Sequence, residues 1–395
     1  MIHRRTFLQG TAALLAACAA RPRPPASPES ADALYRRAIV IDGNLVPPLD
    51  DEHALPADVV AAIKSSGLTA IKVTIGGSSG GYAETRAEID GFTKAIALAS
   101  GTYQQVLRAG DLDAAKRSGA VGIIYSFEAT EMLEGSLERI AEFSKLGVRV
   151  MQLSYNKPSP FAAGVLAPQP SSGLTELGRQ AVARMNALGV TLDLSHADET
   201  STLAALAAAR KPAVISHAGC SAIHAHPRNK SDAVLRALAD RGGTVGIYEL
   251  SFLSAGPAQQ SLDDYLAHIE HALRVCGEDH VGIGSDALLM PFDTTPASMA
   301  MWDKDIAARK AAGIGAPEEG RPPYVVGLNR PDRAPGSRAA TPSASSRSCS
   351  APTSSACSPR PGRRSAPAAP RAPRHRRRTQ RRSSAGASSG SSMRA

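Results

Sequence analysis

Two short stretches, GVTLDLSHADE and KPAVISHAG, run from strand-forming residues into a Ser-His pair, Ser195-His196 and Ser216-His217. The imidazoles lie 21 residues apart, and the segment between them, STLAALAAARK, is rich in alanine and leucine and reads as a helix. A strand, a helix and a second strand form one parallel crossover unit, which sets the two histidines side by side at the same end of neighbouring strands. A lone histidine after an apolar run is ordinarily a hydrogen-bonded loop residue. Two that close successive strands have the placement of metal ligands. Carboxylates join them, because AVGIIYSFE closes on Glu128 and HVGIGSD on Asp286, while the strand VRVMQLSY closes on Tyr155. Two imidazoles and a carboxylate can hold a zinc ion and leave one position open for a water whose pKa falls toward neutrality. His224, His226, His268 and His271 lack such placement and read as surface or loop residues.

The elements that would position these residues recur with some regularity. AIVIDG, AIKVTIGG, AVGIIYSFE, VRVMQLSYN, VTLDLSH, AVISHAG, TVGIYEL and HVGIGSD read as strands, and amphipathic segments such as LERIAEFSKLG, LGRQAVARMNALG, DAVLRALADRG and YLAHIEHALRVCG separate most of them. Eight such units in about 250 residues predict an α/β fold, a (β/α)8 TIM barrel whose strands are buried on both faces and whose reactive residues gather at the C-terminal strand ends. An open doubly wound sheet is the competitor. Its glycine-rich phosphate turn has one candidate, GGSSGG after the second strand, which lacks the G-x-G-x-x-G spacing and reads as a flexible loop.

Composition sets the outer limits. With 395 residues and 43% hydrophobic content the chain can bury a large core. The net charge of +9 suggests nucleic acid, but residues 334–395 hold 13 Arg and no Lys, Asp or Glu, so residues 1–333 carry 9 − 13 = −4. That tail has no Leu, Ile, Val, Phe, Tyr or Trp and is expected to be disordered. Its Arg, Ser, Pro and Ala are what GC-rich DNA yields out of frame, so a frameshift near Arg333 is expected. RHRRRTQRR could instead contact nucleic acid, a partner that an exported protein would not meet. At the other end, residues 1–18 resemble a twin-arginine export signal ending in a lipobox, Leu15-Ala16-Ala17-Cys18, with Cys18 the lipidated residue. Residues 19–33 form a proline-rich tether, and residues 34–333 remain for the barrel. The expected location is the periplasm or cell envelope, on a lipid anchor. Five cysteines in so long a chain make no disulfide framework.

GLTELGRQAVARMNALGVTLDLSHAD, KPAVISHAGCSAIHAHPRNKSDAVLRALADRGGTVGI and GEDHVGIGSD resemble the membrane (renal) dipeptidase family, zinc metallopeptidases on an amidohydrolase-type barrel. The resemblance runs from about Ala38 to about Arg333. It implies that Glu128 bridges two zinc ions and that His196 and His217 bind one of them. It also implies that Arg228 and Asn229 of the His-Pro-Arg-Asn segment bind substrate, Arg228 gripping its carboxylate, and that Asp286, catalytic together with Glu128, serves the metal centre and proton transfer. A guanidinium fork suits that grip.

The departures are specific. The family closes strand one with Asp-Gly-His-x-Asp, whereas this chain has Asp42-Gly43-Asn44-Leu45-Val46. Valine binds no metal, and an amide oxygen is a poor substitute for imidazole on zinc. Tyr155 stands where the family has a histidine that contacts substrate; a phenol can donate to an oxyanion but carries no positive charge. One zinc ion is therefore expected, with the second site degraded. The expected activity is hydrolysis of dipeptides or related small amides by a metal-activated water, and the alternative is a catalytically impaired or dead binding protein on the same fold. A homodimer stays open. Loss of the family's closing C-terminal helices is expected to leave the last and first strands partly bare.

Overall fold

The computed structural model describes residues 30–330. Cys18, the export signal, most of the tether and the basic tail lie outside the described residues. Nine strands make one sheet, and eight of them, all parallel, stand side by side in chain order: β1 (Ile41–Asp42), β2 (Ala70–Thr74), β3 (Val121–Phe127), β4 (Val148–Gln152), β5 (Thr191–Asp193), β6 (Val214–Ala218), β7 (Thr244–Ile247) and β8 (Val281–Ile283); the ninth, Tyr103–Gln105, was not foreseen and pairs in parallel with the start of β3. The register aligns Ile71 with Ile123, Met151 with Leu192, and Val245 with both Ile215 and Val281. Between β8 and β1, the Gly43 N–H donates to the Ile283 carbonyl at 2.9 Å. Just beyond, Leu45–Val46 and Ala287–Leu288 pair in parallel and extend this seam. The architecture is the expected α/β barrel, with each of the eight barrel strands where the apolar runs placed it.

Helices alternate with the strands, and several of them start at a polar cap residue. Thr175 accepts from the Gly178 N–H ahead of Glu176–Leu188, and Asp198 accepts from Ser201 ahead of Glu199–Ala208. Ser231 accepts from Val234 ahead of Asp232–Ala239, and Ser261 forms a capping box with Asp264 at Leu262–Cys276. Gly189, at φ 71°, ends Glu176–Leu188 in the left-handed conformation and hands the chain to β5.

Ile71, Val73, Ile123, Phe127, Leu192, Ile215 and Ile247 are buried in one continuous apolar core. Among them lies a buried polar set, Lys72, Ser126, Gln152, Asp193 and Ser216. The barrel is narrow at β6. A Cβ on Gly284 would stand 1.7 Å from the Ser216 carbonyl oxygen, and one on Gly246 would stand 2.2 Å from it.

Three further features differ from the sequence reading. Ala31–Arg37 is a helix capped by Ser30, so regular structure begins inside the segment read as tether. His226 and His268 are buried, not surface residues: His268 Nδ1 accepts from the Cys220 N–H at 2.8 Å, and His226 stacks on Phe252. The helix Pro296–Ala311, after β8, buries none of its side chains. It leads into residues 312–319, which cross the mouth of the barrel. At the seam Ile41 is 38% exposed and β8 is half-buried, whereas Ile123 and Ile215 are fully buried.

Gly284→Ala should destabilise the fold by about 3 kcal/mol or more in urea unfolding, because the methyl would overlap backbone that cannot withdraw. Gly282→Ala is the control, since a Cβ there meets nothing within 4 Å and stability should change little.

Candidate metal centre

His196 follows β5 by three residues and His217 lies within β6, so the two side chains meet across the mouth. Glu128, one residue past β3, completes the group, and all three offer ligand atoms within 4.8 Å of one another. His196 Nε2 is 3.0 Å from His217 Nε2 and 3.6 Å from Glu128 Oε2, and His217 Nε2 is 4.0 Å from Asp286 Oδ2.

The hydrogen bonds decide which ring nitrogens carry protons. Asn156 Nδ2 donates to the Ile314 carbonyl at 2.8 Å, which leaves its Oδ1 to accept from His196 Nδ1 at 2.7 Å. Ser216 Oγ donates to Asp193 Oδ2 at 2.5 Å, so it accepts from His217 Nδ1 at 2.9 Å. Both Nε2 atoms therefore present lone pairs to one another and to Glu128. Burial, then the charge of Arg228, holds both imidazoles well below their usual pKa, so both are neutral. Lone pairs and a carboxylate converging without a proton among them fit a divalent cation, and the Nδ1 partners are the outer hydrogen bonds that orient metal-binding histidines.

Asp286 stands in the left-handed region at φ 52°, held by its N–H donating to the Asn44 carbonyl at 2.7 Å. A non-glycine residue in that region costs about 1–3 kcal/mol, and such residues cluster at functional sites. Burial, then repulsion from Glu128, pushes its carboxyl above the usual range. Asn44 Nδ2 donates to Glu128 Oε1 at 2.7 Å and to Asp286 Oδ1 at 2.6 Å. Lys72 Nζ, buried behind it, donates to Asn44 Oδ1 at 2.9 Å and to Ser126 Oγ at 3.1 Å.

Arg228 is 1% exposed. Its Nη1 donates to the Ser195 carbonyl at 2.5 Å, while Nη2 has no hydrogen-bond partner among the described residues. A buried guanidinium nitrogen without an acceptor is costly, and a ligand carboxylate would relieve it. Asn229 is engaged elsewhere: its amide donates to the His224 and Phe252 carbonyls and accepts from the Tyr248 hydroxyl, which ties its loop to the end of β7. Tyr155 stacks on His196 with ring centroids 4.1 Å apart, and Arg309 Nη2 donates to its hydroxyl at 2.9 Å. Burial pushes the phenol up to about 12, so it stays protonated near neutral pH. Lys72, Asp193, Asn156 and Arg309 were not foreseen as parts of the site. The lysine and aspartate interrupting the apolar runs AIKVT and VTLDL were the available signal for two of them. Arg309 had none.

Residues 77–302 match the membrane dipeptidase family, peptidase family M19. An uncharacterised dipeptidase of Schizosaccharomyces pombe is 32% identical over 176 residues, which take in 43% of this chain and 42% of that protein. The chain thus spans less than half the length of that curated relative. Among solved structures, an amidohydrolase of Pseudomonas aeruginosa is 28% identical with TM-score 0.64, covering 78% of this chain and 90% of the other. A metallopeptidase of Rhodobacter sphaeroides, liganded with a phosphinate mimic of the dipeptide L-Ala-D-Ala, shares the fold at 21% identity and TM-score 0.59, covering 76% of this chain and 92% of that one.

His196→Ala and His217→Ala should each abolish metal retention through gel filtration, measured by elemental analysis, since two remaining protein ligands hold zinc poorly against competition. Asn156→Leu should weaken metal affinity by about 10- to 100-fold in a chelator competition, because it frees the His196 ring to turn and change tautomer. Unchanged affinity in Asn156→Leu would separate the tautomer from the metal site.

Proposed function

We propose, for a chain that belongs to the membrane dipeptidase family, peptidase family M19, that it is a metal-dependent hydrolase of dipeptides or related small amides. The observation that carries this reading is the convergence of Glu128, His196 and His217 near the buried guanidinium of Arg228, whose Nη2 has no hydrogen-bond partner among the described residues. Zinc suits this mixed imidazole and carboxylate donor set and would supply Lewis acidity and an activated water.

The chain's own groups would do the rest. Arg228 Nη2 would take the free carboxylate of the substrate, in a place close enough to both histidines for its charge to depress their pKa. A substrate without a carboxylate would leave the guanidinium unpaired, which favours short peptides over blocked amides. Asp286, with a carboxyl raised toward neutrality by burial and Glu128, is suited to accept a proton from the attacking water and return it to the leaving amine. Tyr155, protonated and stacked on His196, would donate to the developing oxyanion, and Arg309 keeps its hydroxyl in place. The lipobox at Cys18 supports an envelope location on a lipid anchor, which would put the site where small exogenous or cell-wall peptides pass.

Steady-state assays with a panel of free and C-terminally amidated dipeptides test the proposal. Hydrolysis should disappear with chelator, return with zinc, and favour the free carboxylates. Arg228→Lys should raise KM about tenfold or more with a smaller change in kcat, because an ammonium cannot reproduce the fork. No turnover of any dipeptide by zinc-loaded protein would support the other reading, a binding protein. The feature favouring that alternative is the Asn44 amide lying between Glu128 and Asp286.

A further inference from the structure

We infer that Lys72 and Asn44 together occupy, with a protein-borne cation, the half of the centre that a second metal ion would otherwise fill, so that the site is built for one ion rather than degraded to one. The inference rests on the metal-hydrolase reading and adds the positioning residue that sets its ion count.

The geometry is a relay. Lys72 Nζ lies 4.0 Å from Glu128 Oε1 and 3.9 Å from Asp193 Oδ2, and its side chain is 4% exposed. It donates to Asn44 Oδ1, which leaves that amide one orientation, with Nδ2 turned to the carboxylates. Nδ2 then sits 2.7 Å from Glu128 Oε1 and 2.6 Å from Asp286 Oδ1, where a cation bridging the two acids would have to stand. Thr74 Oγ1 adds a second donor to Glu128 Oε1 at 2.7 Å. Each carboxylate thus has one oxygen satisfied by protein N–H or O–H groups, and the other, Glu128 Oε2 and Asp286 Oδ2, faces an imidazole. The two sides of the cluster are chemically different. One has lone pairs converging on a space that fits a divalent ion, and the other is already neutralised by an ammonium.

An ammonium held among acids that must share two divalent ions would repel both at short range in a medium of low dielectric. Nor does the sequence reading of strand one, an amide in place of imidazole and a valine in place of carboxylate, suffice to explain the count. Restoring those ligands would still leave Lys72 in the way. The residues form a matched set, in which loss of ligands on the first strand accompanies a buried cation on the second.

The test is ion stoichiometry after zinc loading and desalting, read by elemental analysis with folding checked by circular dichroism. Wild type should retain one ion. Asn44→His with Val46→Asp should still retain one, and the same pair with Lys72→Ala should retain two. Two ions in the double variant, or one in a folded triple variant, would overturn the inference. Should the triple variant fail to fold, Lys72→Met alone decides by the sign of its effect: removing a cation that competes with the metal should tighten zinc affinity by about tenfold or more in chelator competition. A merely structural lysine would loosen it, and unchanged or weaker affinity would refute the role. A wild-type chain retaining no ion at all would instead defeat the hydrolase reading and this inference with it.

Discussion

The carboxylate of Asp193 is the point on which the mouth of the barrel is organised. It is fully buried at the end of β5, and a buried charge there is tolerable only if every lone pair has a partner. Oδ1 accepts from the N–H and hydroxyl of Ser195 and from the Ser216 N–H, Oδ2 accepts from the Ser216 hydroxyl, and Lys72 supplies the opposite charge. Because these donors come from two neighbouring strands, the same contacts lock β5 to β6 where their regular pairing is reduced to Asp193 against Val214. The residues after those serines are His196 and His217. The ion-binding geometry therefore follows from an interaction among groups that need not touch an ion.

From Asp193 the order spreads in two directions. Toward β6, it turns the Ser216 hydroxyl so that its oxygen accepts from His217 Nδ1, which leaves Nε2 as the lone pair. Toward β2, it shares Lys72 with Glu128, and through Asn44 the ammonium reaches Asp286 as well. Six barrel strands or their ends, β1, β2, β3, β5, β6 and β8, are connected by one buried polar network. Networks of this kind are rigid when complete and costly when broken, because each loss exposes a charge to an apolar surrounding.

The outer cover of the site is joined to the same network by side chains on β4's end. Asn156 holds His196 with one end of its amide and the Ile314 carbonyl with the other, while Tyr155 stacks on His196 and takes a hydrogen bond from Arg309. Arg309 is in turn paired with Glu319, and Glu318 meets His224. Residues 309–319 thus form a cover whose position is registered on the imidazole itself. The contacts that hold this cover in place also fix the Asn156 amide on His196 and the Tyr155 hydroxyl on Arg309.

Much of the barrel was legible in local patterning. Apolar runs of strand length and amphipathic segments between them are consequences of short-range sterics and burial, and they placed all eight barrel strands. The Ser-His repeats were legible for the same reason: a crossover unit of fixed length makes neighbours of residues 21 apart. What a side chain does at the site depended on partners far away in the chain. Asn156 reads as a loop amide until Ile314, 158 residues on, fixes its orientation. Lys72 reads as an oddity in a buried strand until Asn44, Glu128 and Asp193 surround it. Asn44 read only as a lost ligand, whereas in the fold it donates to residues 84 and 242 positions away. The sequence by itself determined which residues stand at the strand ends, because strand period and crossover length are local. Only the tertiary structure decided which lone pairs stay free and which charges are already matched, because hydrogen-bond direction and the cost of burying a charge are set by every group that converges on it.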